Sequence, residues 1–212
     1  MNIYTVEHPL IAHKLSTLRD KNTPSSQFRQ LTEELVMLLA YEATRTLRLQ
    51  PATVTTPVAN HAGHTLADPQ PVIIPILRAG LGLLEGMVKM IPAAEVGFLG
   101  MERDETTLQP RTYAERLPQN LQGRQVYILD PMLATGGTLA MAIDYVLARG
   151  ASEITVLCVV AAPEGIEHIR SNSAGTAEVT IYTAAIDSHL NEHGFIVPGL
   201  GDAGDRLYAT VS

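Results

Sequence analysis

Asp130 and the run Thr135-Gly136-Gly137-Thr138 hold the residue types that recognition of a phosphorylated sugar demands. A phosphate monoester is held by bare backbone N–H groups, hydroxyl donors and the positive end of a helix. Thr135 and Thr138 supply hydroxyls, while Gly136 and Gly137 permit the left-handed dihedrals that turn successive amides inward. A carboxylate a few residues upstream, at Asp130, can accept hydrogen bonds from a vicinal diol. Together these groups suit a ribose 5-phosphate. Their neighbours must position them. Val126 to Leu129 is a short apolar run dense in β-formers, expected as a buried parallel strand. Pro131 biases Asp130 toward extended backbone and so leaves the carboxylate at the strand's C-terminal end. Leu139, Ile143, Val146 and Leu147 then share one helical face, so the glycines should open a helix. A lone Thr-Gly-Gly also occurs in generic strand-to-helix turns, so the short motif is not decisive alone.

The longer run Asp130-Pro131-Met132-Leu133-Ala134-Thr135-Gly136-Gly137-Thr138 resembles the phosphoribosyl diphosphate (PRPP) loop of phosphoribosyltransferases, in the version of the uracil-using family. Most relatives carry two adjacent acids at the start of this loop, and the uracil family has proline second, as here at Pro131. The resemblance implies that residues 130–138 all touch PRPP, with Thr135 to Thr138 on the 5-phosphate and Asp130 on the ribose hydroxyls. Other segments match in the family's order. Pro71 to Gly82 reads as a strand leading through Arg78-Ala79-Gly80 into a helix from Leu83 to Met90. That places Arg78 at the sheet edge where open α/β folds bind ligands, and it resembles the pyrophosphate loop. Glu95 to Met101 is expected as a third strand, followed by a polar stretch, 102–110, that resembles the mobile hood over PRPP. There Arg103 would be a second PRPP contact and, with Asp130, a catalytic residue acting by charge and position. Residues 111–118 depart from the more aromatic, Lys-bearing version of the family.

The tail Gly194 to Arg206, with four glycines and Pro198, reads as a tight loop whose backbone can approach a flat ligand. It resembles the family's C-terminal base-binding hood loop. By that resemblance Ile196, Gly201, Asp202 and Ala203 would present main-chain groups to uracil, and Asp202 would also lie near PRPP or its metal. The implied reaction joins uracil to the ribosyl group of PRPP, giving UMP and diphosphate, with Mg²⁺ on the leaving group. A homodimer or higher homo-oligomer is the family expectation, and a GTP effector, known for some relatives only, is compatible with it.

Composition agrees with such an enzyme. The 212 residues are 46% hydrophobic, enough for a sizeable core and one phosphoribosyltransferase domain over 1–212. No apolar run approaches the ~20 residues that span a bilayer, and the first residues lack a basic region followed by an apolar one. A cytoplasmic protein with no membrane partner is expected. Net charge is −7, which argues against a nucleic-acid surface, so any polyphosphate site must concentrate positive charge locally. Twelve of the fifteen cations are Arg, the better bidentate phosphate partner. The single Cys158 sits in the apolar run Ile154 to Val160 and is expected in the core.

Alternating strands and helices predict an α/β fold, phosphoribosyltransferase-like, with a mainly parallel sheet flanked by helices. Residues 4–49 read as largely helical, with a first helix from Pro9 to Leu18 and a second carrying Phe28, Leu31, Leu35, Leu38 and Leu39 and continuing through Leu47. His8-Pro9-Leu10 and Tyr41 to Arg45 also resemble the family's N-terminal region. Ala52 to Val58 reads as a strand and Asn60 to His64 as a turn, giving a hairpin arm. Further strands are expected at 154–160 and 179–186, with a helix opened by Pro163 between them. His61 with His64 lacks the further ligands a metal site requires, and a polar loop accounts equally well for His189 with His193. Two rival readings are a nucleotide-binding regulator without turnover and a dinucleotide-dependent oxidoreductase. The intact tail and hood argue against the first. Arg78-Ala-Gly-Leu-Gly82 lacks the third glycine and the acid that the second needs.

Overall fold

The computed structural model describes residues 1–103, 110–172 and 177–210, apart from the side chains of 102, 103 and 110. The chain begins with β1 (Asn2–Thr5) and α1 (Pro9–Arg19). Pro9 sits in the first turn of α1, where a missing N–H costs nothing, and His8 Nδ1 accepts from the Leu10 N–H at 3.1 Å. After α2 (Ser25–Ala43), β2 (Leu49–Thr55) and β3 (Asn60–Leu66) pair as an antiparallel arm, largely exposed. Next come β4 (Val72–Leu77), α3 (Leu81–Met90), β5 (Glu95–Val96), β6 (Phe98–Arg103) and β7 (Pro110–Arg116). The second half holds β8 (Gln125–Leu129), β9 (Met132–Leu133), α4 (Gly137–Leu147), β10 (Glu153–Ala161) and α5 (Pro163–Asn172). It ends with β11 (Glu178–Ile186), β12 (His189–Leu190), β13 (Ile196–Val197) and α6 (Ala203–Tyr208).

The main sheet runs β1-β11-β10-β8-β4-β6-β7, with β5 added to β4 and β9 to β10. Its pairings are parallel except β6 with β7. The central strands are apolar throughout because both faces are covered. On β8, Val126 and Ile128 face a layer with Leu139, Ile143 and Val146 of α4 and Ile166 and Ile169 of α5. Tyr127 and Leu129 face the opposite layer, with Leu18 of α1, Leu35 and Leu39 of α2, Met87 of α3 and Leu207 of α6. Each such aliphatic side chain contributes ~1.5–3 kcal/mol of burial. Because β4, β8, β10 and β11 are parallel, the residues after Leu77, Leu129, Ala161 and Ile186 all emerge at one edge of the sheet.

Several expectations need correction. The segment 4–49 is helical only from Pro9 to Ala43: Asn2–Thr5 is a strand, pairing with 180–183, and α2 ends where the Thr44 hydroxyl takes the Ala40 carbonyl at 2.7 Å. The hairpin's turn is 56–59 rather than Asn60 to His64. Thr56 makes it, with Oγ1 accepting from the Val58 and Ala59 N–H groups at 3.2 and 3.0 Å. The strand expected over 95–101 is two strands flanking Gly97, both beside β4. Residues 110–116, read as loop, form the antiparallel β7, and the tail expected as loop to Arg206 winds into α6 at Ala203.

Candidate active site

Asp130 leaves β8 with its own N–H still donating to the Leu157 carbonyl of β10, at 3.2 Å. Beyond it the chain stays tied to β10. The Pro131 carbonyl accepts from Val159 and Val160 (3.0 and 3.2 Å), and the Leu133 carbonyl accepts from Ala162 at 2.8 Å. Pro131 and Leu133 are buried, so what they can offer a ligand is limited to the main chain. Asp130 is half-buried, and its Oδ1 accepts from the Met132 N–H at 3.3 Å. Desolvation pushes its carboxyl up to about 7, with that hydrogen bond pulling weakly the other way.

The turn into α4 is shaped by two glycines on different elements. Gly136 is left-handed, with φ +83°, and a Cβ on it would lie 2.8 Å from the Gly165 carbonyl oxygen of α5. A Cβ on Gly165 would in turn lie 2.3 Å from the Ala134 carbonyl oxygen. Helix α5 is therefore packed directly behind the turn, and the cap position of α4 is Gly136, which has no side chain to cap it. The amides of a helix's first turn are a place where an anion can bind.

Across the sheet edge, Arg78 follows β4 after a cis Leu77–Arg78 peptide. It is exposed, and no carboxylate among the described residues pairs with it. By contrast, Arg19, Arg45, Arg48, Arg124, Arg149 and Arg170 each hold a carboxylate. The glycines after Arg78 answer to packing. A Cβ on Gly80 would meet Ile76 main chain at 2.6 Å, and one on Gly82 would meet Leu207 Cδ1 at 2.7 Å.

The fourth loop is folded by its own contacts. Ile196 is buried in β13, paired with Leu190, and a Cβ on Gly199 would sit 2.1 Å from the Ile196 carbonyl oxygen. Gly201 has φ +80°, a conformation other residues adopt at a cost. Asp202 caps α6, its Oδ1 accepting from the Asp205 N–H at 2.9 Å, a structural role that Asp-x-x-Asp in the sequence could have signalled.

These loops meet around one open cleft of about 780 Å³. Arg78, Asp130, Met132, Ala134, Thr138, Ile196, Gly201, Asp202 and Ala203 all line it. Thr135, Gly136 and Gly137 form the turn beside Thr138. The Arg103 side chain and residues 104–109 lie outside the described residues. The cleft also has lining that the sequence reading missed, above all Tyr113, His193 and Phe195. Tyr113 lies across β6, where a Cβ on Gly100 would be 2.6 Å from its ring. Once 110–116 is a strand, Tyr113 becomes legible as a side chain on the cleft wall. Among the described residues no group of three or more His, Cys, Asp or Glu is placed to hold a metal, and no helix is long and apolar enough to cross a membrane.

A sequence profile described as uracil phosphoribosyltransferase matches residues 5–210. Among similar sequences, the uracil phosphoribosyltransferases of Kineococcus radiotolerans and Renibacterium salmoninarum are 61% and 62% identical, each over 100% of both chains. A solved structure described as the AQ2163 protein from Aquifex aeolicus superposes with a TM-score of 0.91 at 43% identity, covering 98% of each chain. A hypoxanthine-guanine phosphoribosyltransferase from Bacillus anthracis shares the fold at 17% identity, with a TM-score of 0.50 over 74% of this chain and 78% of that one.

Proposed function

This chain belongs to the uracil phosphoribosyltransferase family, and from that premise we propose that its cleft binds PRPP and uracil and releases UMP and diphosphate. The observation that carries the reading is convergence. Arg78, the 130–138 run with Asp130 and Thr138, and the 196–203 loop come from three separate stretches of chain and line one cleft.

The bond formed joins uracil N1 to C1 of the ribose, the bond broken joins that carbon to diphosphate, and the N1 proton leaves to the diphosphate or to solvent. The 5-phosphate fits the start of α4, behind the glycine turn, with the Thr135 and Thr138 hydroxyls as further donors. Asp130 accepts from the ribose hydroxyls and, ionised, faces the positive charge that grows on the ribosyl ring in the transition state. Arg78 answers the charge that accumulates on diphosphate, and Arg103 is assigned beside it on the family resemblance. No covalent nucleophile is needed. Cys158, fully buried in β10 with its thiol pushed up to about 12 by desolvation, is a core residue.

Mg²⁺, when bound, would neutralise the leaving diphosphate. The cleft suits an ion carried mainly by substrate oxygens and water, because one oxygen of Asp202 is committed to capping α6 and the other remains as a protein donor. Uracil presents acceptor, donor and acceptor along one edge. Main-chain groups of Ile196 and Gly201 to Ala203 can answer in kind.

The test is release of diphosphate by the purified protein with PRPP, Mg²⁺ and each base in turn. Cytosine inverts two of the three edge positions, and each buried mismatch leaves groups unpaired at ~1–3 kcal/mol. Uracil should therefore be preferred by roughly 10⁴-fold in kcat/KM, and a 5-fluoro substituent, off the bonded edge, should be tolerated. Comparable use of cytosine and uracil would overturn the assignment of the loop.

A further inference from the structure

Arg19 ends α1, far in sequence from the cleft loops, yet it is fastened to the base loop. Its NH1 donates to Asp187 Oδ2 at 2.7 Å and to the Gly199 carbonyl at 2.6 Å, while NH2 donates to Asp187 Oδ1 at 2.6 Å. Asp187 Oδ2 also accepts from the Gly199 N–H at 2.9 Å. One guanidinium and one carboxylate thus hold both main-chain groups of a single glycine. The carboxylate side chain is 5% exposed and the guanidinium 22%, so solvent competes weakly with these bonds.

The glycine they hold is packed against the base-reading segment. Gly199, with φ +59°, lies so close to Ile196 that a Cβ would come within 2.1 Å of the Ile196 carbonyl oxygen. Ser188, next to Asp187, takes the Val197 carbonyl through its N–H (2.9 Å) and its hydroxyl (2.7 Å). On the far side, Arg206 donates to the Leu200 carbonyl at 3.0 Å and to the Leu18 and Asp20 carbonyls at 2.7 and 2.6 Å. Residues 197–200 are therefore tied at several points to the end of α1 and the end of β11. Neither Arg19 nor Asp187 lines the cleft.

We propose that Arg19 and Asp187 are positioning residues for uracil, acting through Gly199 to hold the main chain of Ile196 and of residues 201–203 in register with the base. The inference rests on the reading of 196–203 as the uracil site. A main-chain hydrogen-bonding edge discriminates only as well as its spacing is held, since the donors and acceptors cannot adjust as side chains do. A planar fork is needed because the three acceptor oxygens are reached from two nitrogens of one flat group, a spread that the single nitrogen of a lysine cannot match.

The test is steady-state kinetics on Arg19→Met, Asp187→Asn, Arg19→Lys and Gly201→Val, with KM measured separately for uracil and PRPP and folding followed by thermal unfolding. Arg19→Met and Asp187→Asn should each raise the uracil KM at least tenfold while the PRPP KM stays within twofold. The double variant should be no worse than the poorer single one. Arg19→Lys keeps a cation beside the buried carboxylate, and so the fold, but gives up the fork. It should show the same split at three- to tenfold even if Arg19→Met does not fold. Both KM values moving together, or neither moving while Gly201→Val abolishes uracil use, would overturn the proposal. An unchanged uracil KM in Gly201→Val would instead overturn the base-site reading beneath it, and the positioning role with it.

Discussion

At the scale of single residues, Asp130 joins two demands that pull apart. Its burial pushes the carboxyl up to about 7 from the ordinary 3.8, so the free protein near neutrality holds a mixture of acid and carboxylate. Its proposed role needs the carboxylate. The kcat/KM for PRPP should then rise as pH passes upward through about 7, and Asp130→Asn should lose that limb together with roughly 10²–10³-fold in kcat. Stability runs the opposite way. A folded-state pKa above the unfolded one means that the native chain binds the proton more tightly, so this group's contribution is full below about 3.8 and is lost as pH rises toward 7. Asp130→Asn should therefore unfold at a higher temperature than wild type at pH 8 and at a similar one at pH 4. Wild-type kinetics in that variant would remove Asp130 from the site. Arg78 and Arg170 make a second comparison. Arg170 is exposed and already paired with Glu167 at 2.7 Å, whereas Arg78 lines the cleft with no such partner among the described residues. Arg78→Ala should raise the PRPP KM and lower turnover by a combined ~2–5 kcal/mol, and Arg170→Ala should do neither. Equal effects would mean that Arg78 serves no ligand.

At the scale of elements, the turn proposed to hold the phosphate depends on helix α5 as much as on its own residues. Gly136→Ala would put a methyl 2.8 Å from the Gly165 carbonyl at a residue with φ +83°. The left-handed backbone alone costs ~1–2 kcal/mol, so a lowered melting temperature and a raised PRPP KM with little change in uracil KM are expected. The turn's ligand-facing side was legible in sequence because Thr, Gly and Gly follow an apolar strand. Its rear wall was not, since nothing local to Gly165 announces contact with Ala134. The same division holds elsewhere. β4, β8 and β10 are legible as apolar runs because both their faces are buried, while β11 alternates buried with half-buried positions. β1 is a short, largely exposed edge with no such run, and β7 carries three charged residues in seven. Helix α6 has only six residues and is held by Leu207 in the core, a tertiary contact that a glycine-rich tail conceals. Thr56 displaced the hairpin turn through one hydroxyl, a local bond that composition alone does not reveal.

At the scale of the whole molecule, α6 closes on α2, α3 and the Arg78 loop beside the cleft. Leu207 of α6 is fully buried against α3, Arg29 of α2 donates to its carbonyl at 2.7 Å, and the Tyr208 hydroxyl donates to the Arg78 carbonyl at 3.2 Å. Leu207→Ala should cost ~2–5 kcal/mol, read by calorimetry as a lower melting temperature. It should also weaken PRPP binding, because the helix it anchors braces the Arg78 loop. A variant with full stability and unchanged PRPP KM would show that α6 is merely appended.

Arg19 and the Gly199 carbonyl it holds are separated by 180 residues. At a synthesis rate of about 5–20 residues per second, the arginine waits about 9–36 s on the ribosome before its partner glycine exists. Within that interval α1 can fold and dock on α2 through Leu15 and Leu18, yet the loop proposed to read the base has not been made. On the proposed reading of that loop, recognition of the base is among the last properties to arise in the life of each molecule, and a chain interrupted before residue 199 could hold a sheet without being an enzyme.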